Sequence, residues 1–238
     1  MNPDSEGGSD SGSDRKAAAA GDYPPPCSNP ETVSDLVARD RRTPGTALHA
    51  AGVDRSYSYR NFVTTTYKVG NVLRYLGVRR GEEVLVVPDP LPEPVLTFYG
   101  AAQLGAVTRF SDSLPSTVPR VVVAPARYEA TFDLPPGHNL VVYGDAPTDP
   151  TTTHWETEVW SENPAIHPAR VEPTDPLLAV GEETYSHGDA LSTSSGEASE
   201  QMNPGDRVVV EGHLGDPDVV VEGLVAPIAA GATIALAE

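Results

Sequence analysis

From residue 32 onward the chain alternates short apolar runs with amphipathic stretches of helical period. Val33, Leu36 and Val37 recur at helical spacing behind Thr32, and Pro44-Gly45 stops that run. Residues 47–50 and 56–59 read as a short strand pair. Ser58 then precedes a longer amphipathic helix carrying Phe62, Val63, Val69, Val72, Leu73 and Leu76, closed by Gly77. Val84 to Val87 is a continuous apolar run, as a strand buried on both faces requires. Pro92 opens a second helix with Val95, Leu96, Phe98, Tyr99 and Leu104 apolar, and Gly105 ends it.

A strand restarts at Ala106-Val107, and residues 120–124 and 140–143 give two more. After a stretch rich in Thr, Pro and acidic residues, with a short amphipathic piece at 155–160, the alternation resumes. Strands are expected at 177–180, 207–210 and 233–236, and helices at 186–200 and 219–230. Strands alternating with helices define an α/β architecture, mostly parallel sheets flanked by helices. The expected organisation is a tail over 1–30, a first unit over 31–143, a connection over 144–173, and a second, truncated unit over 174–238.

Composition changes this picture at the amino terminus and at the surface. Residues 1–30 are rich in Gly, Ser and Asp and then in Ala and Pro, a composition that buries no core and predicts disorder. Lys plus Arg number 16 against 34 Asp plus Glu, a formal charge of −18 that disfavours nucleic acid as a partner. Only Lys16 and Lys68 are lysines, and this selective depletion suggests adaptation to high salt, where carboxylate repulsion is screened over about 3 Å at 1 M. A single cysteine, Cys27, excludes an intrachain disulfide framework and fits a reducing compartment. No apolar run approaches the roughly 20 residues of a membrane span, and the acidic start is unlike a secretory signal, so a cytoplasmic location is expected.

Five motifs in order then point to a family. They are Thr32-Val33-Ser34-Asp35-Leu36; Tyr57-Ser58-Tyr59; Leu76 to Val84 with its Arg79-Arg80-Gly81 turn; Tyr99-Gly100-Ala101-Ala102 with Leu104-Gly105-Ala106; and Ser186-His187-Gly188-Asp189-Ala190-Leu191 behind Thr174-Asp175-Pro176. With Pro204-Gly205-Asp206-Arg207-Val208 and residues 223–233, this order resembles the amino-terminal region of the acyl-adenylate-forming enzymes, the AMP-dependent synthetases and ligases that include acyl-CoA synthetases. The resemblance implies the first subdomain of that fold and part of the second.

It also implies a phosphate-binding loop of the form Thr-Ser-Gly-Thr-Thr-Gly-x-Pro-Lys-Gly between the strand at 177–180 and the helix at 186. There, backbone N–H groups, hydroxyls and a lysine would surround a triphosphate. The interval holds only Gly181, Glu182, Glu183, Thr184 and Tyr185, so the loop position is degenerate and two carboxylates stand where cations are needed. Asp216 falls at the family's acyl-pocket histidine, with His213 three residues away.

No catalytic, cofactor-binding or metal residue is therefore expected, although Asp216 and Asp218 beside His213 form the one local group with metal-ligand chemistry. Arg109, Arg120 and Arg127 are the arginines that could bring positive charge to a phosphate. Two functions remain open, beside a third reading in which the chain is a degenerate gene product with no retained ligand. One is a non-catalytic module that binds or regulates a protein partner; the other is one half of a split synthetase completed by a second chain.

Overall fold

Local capping chemistry sets the helices in the computed structural model, which describes residues 20–194 and 201–237. The Ser58 hydroxyl accepts from the Asn61 N–H at 3.2 Å and starts α1 (Tyr59–Tyr75). Gly77 ends it with φ of 94°, while Val78 N–H returns to the Leu73 carbonyl. Pro92 opens α2 (Pro92–Ala102), where its missing N–H costs nothing. Thr32 and Asp35 form a reciprocal cap, but the segment they open, Val33–Val37, is one turn of 3-10 helix rather than the α-helix its spacing predicts.

Among the described residues eleven strands make two sheets. In the first, β3 (Glu83–Val86), β4 (Val107–Phe110), β5 (Val121–Pro125), β6 (Asn139–Tyr143), the two-residue β7 (Thr153–His154), β8 (Pro176–Val180) and β9 (Glu183–Ser186) lie in the order β7-β6-β5-β3-β4-β8-β9. All its pairs are parallel except β8 with β9. The second sheet joins β1 (Thr46–Ala50) and β2 (Arg55–Ser58) to β10 (Arg207–Val210) and β11 (Thr233–Leu236) in the order β10-β11-β1-β2. Strands from both sides of the 144–173 connection thus share each sheet. The connection itself carries α3 (Trp155–Ser161), whose Trp155 and Val159 are buried.

Helix α2 explains why the sheets stay together. Every residue in it is buried, and it packs on α1, β1, β3 and β4, so it lies between layers and presents no face to water. Tyr99 on α2 donates its hydroxyl to the Leu224 carbonyl at 2.7 Å, and Tyr59 at the start of α1 donates to Ala232 at 2.6 Å. These phenols tie the α1–α2 pair to α5, a continuous helical run of Pro217–Val220, the π-helical Val221–Val225, and Ala226–Ala230, and to the turn that follows it. The other face of the larger sheet holds a smaller cluster of Leu85, Val87, Val122, Ala124 and Phe132.

One expectation is corrected here. Residues 23–30, assigned to the tail from composition, pack on the fold: the Cys27 N–H donates to Ala229, and the Arg41 guanidinium, buried and shared among the Leu36, Pro25 and Ile228 carbonyls, clamps the segment down. A Pro-rich strand can be held this way because its few N–H groups need few partners. Residues 1–19 lie outside the described residues. The helix expected over 186–200 is described as α4 (His187–Ser194), and residues 195–200 again lie outside. No described helix is long and apolar enough to cross a membrane.

Candidate functional site

In open α/β sheets, ligands gather at the carboxyl ends of the parallel strands. At those ends of β3, β10 and β11 the fold leaves a cleft of about 390 Å³, lined by Asp89, Val209, Glu211, His213, Leu214 and Leu236 among others. The Pro88-Asp89-Pro90 break supplies one wall, because two prolines so close together cannot continue a strand. The loop 211–216 supplies another. Its conformation is self-made: His213 Nδ1 accepts from the Gly215 N–H at 3.0 Å, and Asp216 caps α5 by accepting from the Asp218 N–H at 3.0 Å.

His213 and Asp216, the two residues that sequence register brought to the family's acyl pocket, therefore shape one loop. Asp218 follows in the first turn of α5. Among the described residues no group of three His, Cys, Asp or Glu side chains is placed to hold a metal ion.

Residues 181–185, where the sequence resemblance sets a phosphate loop, lie within electrostatic reach of Asp216 and Asp218 through Tyr185. Val180 and Glu183 are paired residues of an antiparallel hairpin, so Gly181-Glu182 is a two-residue turn, with Gly181 at φ of 58°. Sequence reading missed strand β9 because Glu183, Thr184, Tyr185 and Ser186 carry no apolar alternation; β8 and the turn impose the pairing. Glu182, Glu183 and Thr184 are exposed. The Tyr185 hydroxyl donates to Glu183 Oε2 at 3.5 Å, and its acidity is weakened by desolvation first and then by Glu183, Asp218 and Asp216. The hairpin and the start of α5 thus present converging negative charge.

The arginines that could have offset that charge already have partners or lie far from it. Arg109 forks onto Glu83, Nε to Oε1 at 2.8 Å and Nη2 to Oε2 at 3.0 Å, and gives Nη1 to the Gly181 carbonyl at 2.9 Å. Arg127 donates to Asp89 at 2.9 Å. Arg120 precedes β5 and so sits at the opposite, amino end of the sheet, against Gly77.

Helix α4 keeps the start the motif predicts. Ser186 and Asp189 cap reciprocally, Ser186 N–H to Asp189 Oδ2 at 2.9 Å and Asp189 N–H to Ser186 Oγ at 3.1 Å. His187 is fully buried, its Nδ1 accepting from the Val33 N–H at 3.1 Å, and burial lowers its pKa to about 4. A histidine so placed locks α4 to the 33–37 turn and has no open path to a ligand.

Sequence reading also missed a buried acid. Glu93 in the first turn of α2 is 1% exposed and meets Arg55 Nη1 at 2.6 Å; desolvation raises its pKa while Arg55 opposes that shift.

Comparison with known proteins places this geometry. No family model matches the chain. An anthranilate CoA ligase solved with anthranoyl-AMP superposes with a TM-score of 0.74 at 21% identity, over 92% of this chain and 46% of the ligase. The N-terminal domain of FACL13 from Mycobacterium tuberculosis gives 0.72 at 18% identity, over 87% of this chain and 57% of that domain. An acyl-CoA synthetase from Brucella canis gives 0.71 at 15% identity, over 89% and 45%. The fold is that of the amino-terminal portion of the acyl-adenylate-forming enzymes.

Within that class the local sequence likeness is to CoA ligases. A 3-hydroxybenzoate/4-hydroxybenzoate CoA ligase from Thauera aromatica is 41% identical over 54 residues, and a crotonobetaine/carnitine CoA ligase from Salmonella typhi is 32% identical over 56. Those segments cover 23% and 24% of this chain but only 10% and 11% of the two ligases.

Proposed function

We propose that this chain is an acyl-CoA-synthetase-like module that does not adenylate a substrate by itself and acts through a protein partner. The observation that carries the reading is the β8–β9 hairpin, where two residues join the strands between which the family's phosphate loop would stand. A triphosphate needs several convergent N–H donors and at least one cation. The turn offers one glycine and two exposed carboxylates, while the nearest arginine, Arg109, is already shared between Glu83 and Gly181.

Titration calorimetry of Mg-ATP into the protein at about 1 M KCl tests this, together with pyrophosphate exchange into ATP across a panel of carboxylic acids. No binding heat and no exchange are expected. A dissociation constant near 1 μM, about −8 kcal/mol, would overturn the reading.

A second reading is favoured by the cleft at the strand ends, which is mostly apolar and open to solvent. On that reading the chain is one half of a split CoA ligase, and a second polypeptide supplies the nucleotide-binding groups. Co-purification with a chain carrying the remaining ligase regions, followed by the same exchange assay, separates the two: exchange that appears only in the complex supports the split enzyme.

A further inference from the structure

We propose that the groove between β2, α1 and α3 binds a small planar carboxylate, an aromatic acid with one negative charge, and that buried Glu93 sets how strongly Arg55 attracts it. The groove encloses about 580 Å³, a size that suits a small molecule. Every wall comes from residues 54–68 and Trp160, so it shares no residue with the strand-end cleft or with the β8–β9 hairpin.

Three elements bring different chemistry to this space. Helix α1 turns Asn61, Thr64 and Lys68 to one side, at spacings of three and four residues. Lys68 gives Nζ to the Trp160 carbonyl at 3.2 Å, which uses one of its three N–H bonds, and it makes no ion pair among the described residues. Strand β2 supplies Arg55, whose Nη2 donates to the Tyr57 hydroxyl and whose Nη1 meets Glu93, each at 2.6 Å. Helix α3 supplies Trp160, 51% exposed, which stands edge-on to the buried Trp155 with ring centres 6.3 Å apart. Trp155 is itself held by its indole N–H on Thr97 at 3.3 Å. An exposed indole supported in this way offers a flat face to a second ring.

Charge selects the ligand. On a chain of formal charge −18, this groove gathers two cations, Arg55 and Lys68, against Asp54, the one acid that lines it. Glu93 shares Arg55 from behind, so the site holds less than two full positive charges and suits a carboxylate better than a doubly charged phosphate. The groups facing Glu93 are Arg55 and Tyr57 of β2, Tyr143 of β6 and Glu156 of α3. Desolvation raises the Glu93 pKa, Arg55 opposes the shift, and Glu156 adds to it. An anion drawn to Arg55 competes with the Glu93 carboxylate and favours its protonation. Binding therefore takes up protons and strengthens as pH falls. The inference does not depend on whether the chain binds ATP.

Titration of para-nitrobenzoate into the full chain tests it, read by tryptophan fluorescence quenching and by calorimetry at the lowest KCl concentration that keeps the chain folded. A dissociation constant below about 1 mM is expected, with the uncharged para-nitrobenzyl alcohol at least about tenfold weaker. Lys68→Met should weaken binding at least about tenfold, because it removes a charged donor, and Lys68→Arg should keep most of the affinity. Trp160→Leu should remove the quenching and weaken binding. Glu93→Gln should tighten binding and flatten its rise between about pH 8 and about pH 5. Far-UV circular dichroism confirms that each variant is folded. No saturable binding up to about 10 mM, equal affinity for the alcohol, or indifference to Lys68→Met would overturn the site. A wild-type affinity independent of pH, or a Glu93→Gln variant that binds as wild type does, would overturn the part given to Glu93.

Discussion

Arg109 and Glu83 form a two-pronged ion pair across neighbouring strands, with both carboxylate oxygens engaged at 2.8 and 3.0 Å. Glu83 on β3 and Arg109 on β4 are both largely shielded, and the third guanidinium nitrogen holds the turn of the β8–β9 hairpin by its Gly181 carbonyl. One side chain therefore couples three strands and fixes the Gly181-Glu182 turn.

Arg109→Ala should lower unfolding stability by about 2 kcal/mol, because it leaves a shielded carboxylate and a carbonyl without donors. Arg109→Lys should recover little of this, since a single ammonium cannot reproduce the fork. Urea denaturation of both variants measures the loss; a change below about 0.5 kcal/mol would show the pair to be ornamental.

Acid should unfold the protein partly through two histidines. His187 and His167 are buried, and burial lowers each pKa to about 4; nearby Arg74 and Arg39 add to the shift at His167. Both rings are neutral in the fold and charge more readily when unfolded, so their contribution is complete above about pH 6.5 and drains away as pH falls toward 4. Each accounts for about 3 kcal/mol at full loss. Glu93, with its raised pKa, works in the opposite direction, so the clean measurement is a difference. His187→Leu should flatten the stability profile between pH 6.5 and pH 4 relative to wild type. A slope unchanged by the substitution would remove His187 from the account.

Salt should stabilise. With a formal charge of −18, the folded chain concentrates more repulsion than the unfolded one, and about 1 M salt screens it. The melting temperature by circular dichroism should rise by several degrees between low salt and about 1 M KCl. An unchanged value would dismiss the high-salt interpretation of the lysine-poor composition.

Truncation should separate the two parts of the amino-terminal stretch. Removing residues 1–19 should leave the melting temperature within a degree or two. Removing residues 1–30 should lower it by many degrees, because it takes away the Cys27 bond to Ala229, the Pro25 carbonyl on Arg41 and the Tyr23 ring packed beside Gly45 and Gly205. Equal effects of the two deletions would contradict the packing.

What could be read from the sequence was what neighbouring residues decide together. Ser58, Pro92, Gly77 and the Ser186-Asp189 pair act over a single turn, and each marks its helix end where expected. The strand and the capped helix start on either side of residues 181–186 were legible too. Strand β9 was not, because its residues have no preference of their own and take their form from β8. Nor was the clamping of residues 23–30, which depends on Arg41 meeting the Ile228 carbonyl, a contact no local pattern encodes. The cleft at the strand ends is of the same kind: Asp89 and Val209 line it from different sheets, brought to it by the strand order within each sheet and the packing of one sheet on the other.

That order has a consequence for how the chain is made. Leu48 pairs with Ile234 and Ala50 with Leu236, so β1 finds its parallel neighbour only in a segment translated almost a whole chain later. Until β11 emerges from the ribosome, the β1–β2 hairpin can have α1 and α2 against it but lacks its parallel neighbour, so one backbone edge of β1 stays unpaired. Such late closure slows folding and leaves an interval in which nascent chains stick to one another. The dense negative charge would then serve the newborn polypeptide, holding neighbouring chains apart until the second sheet closes.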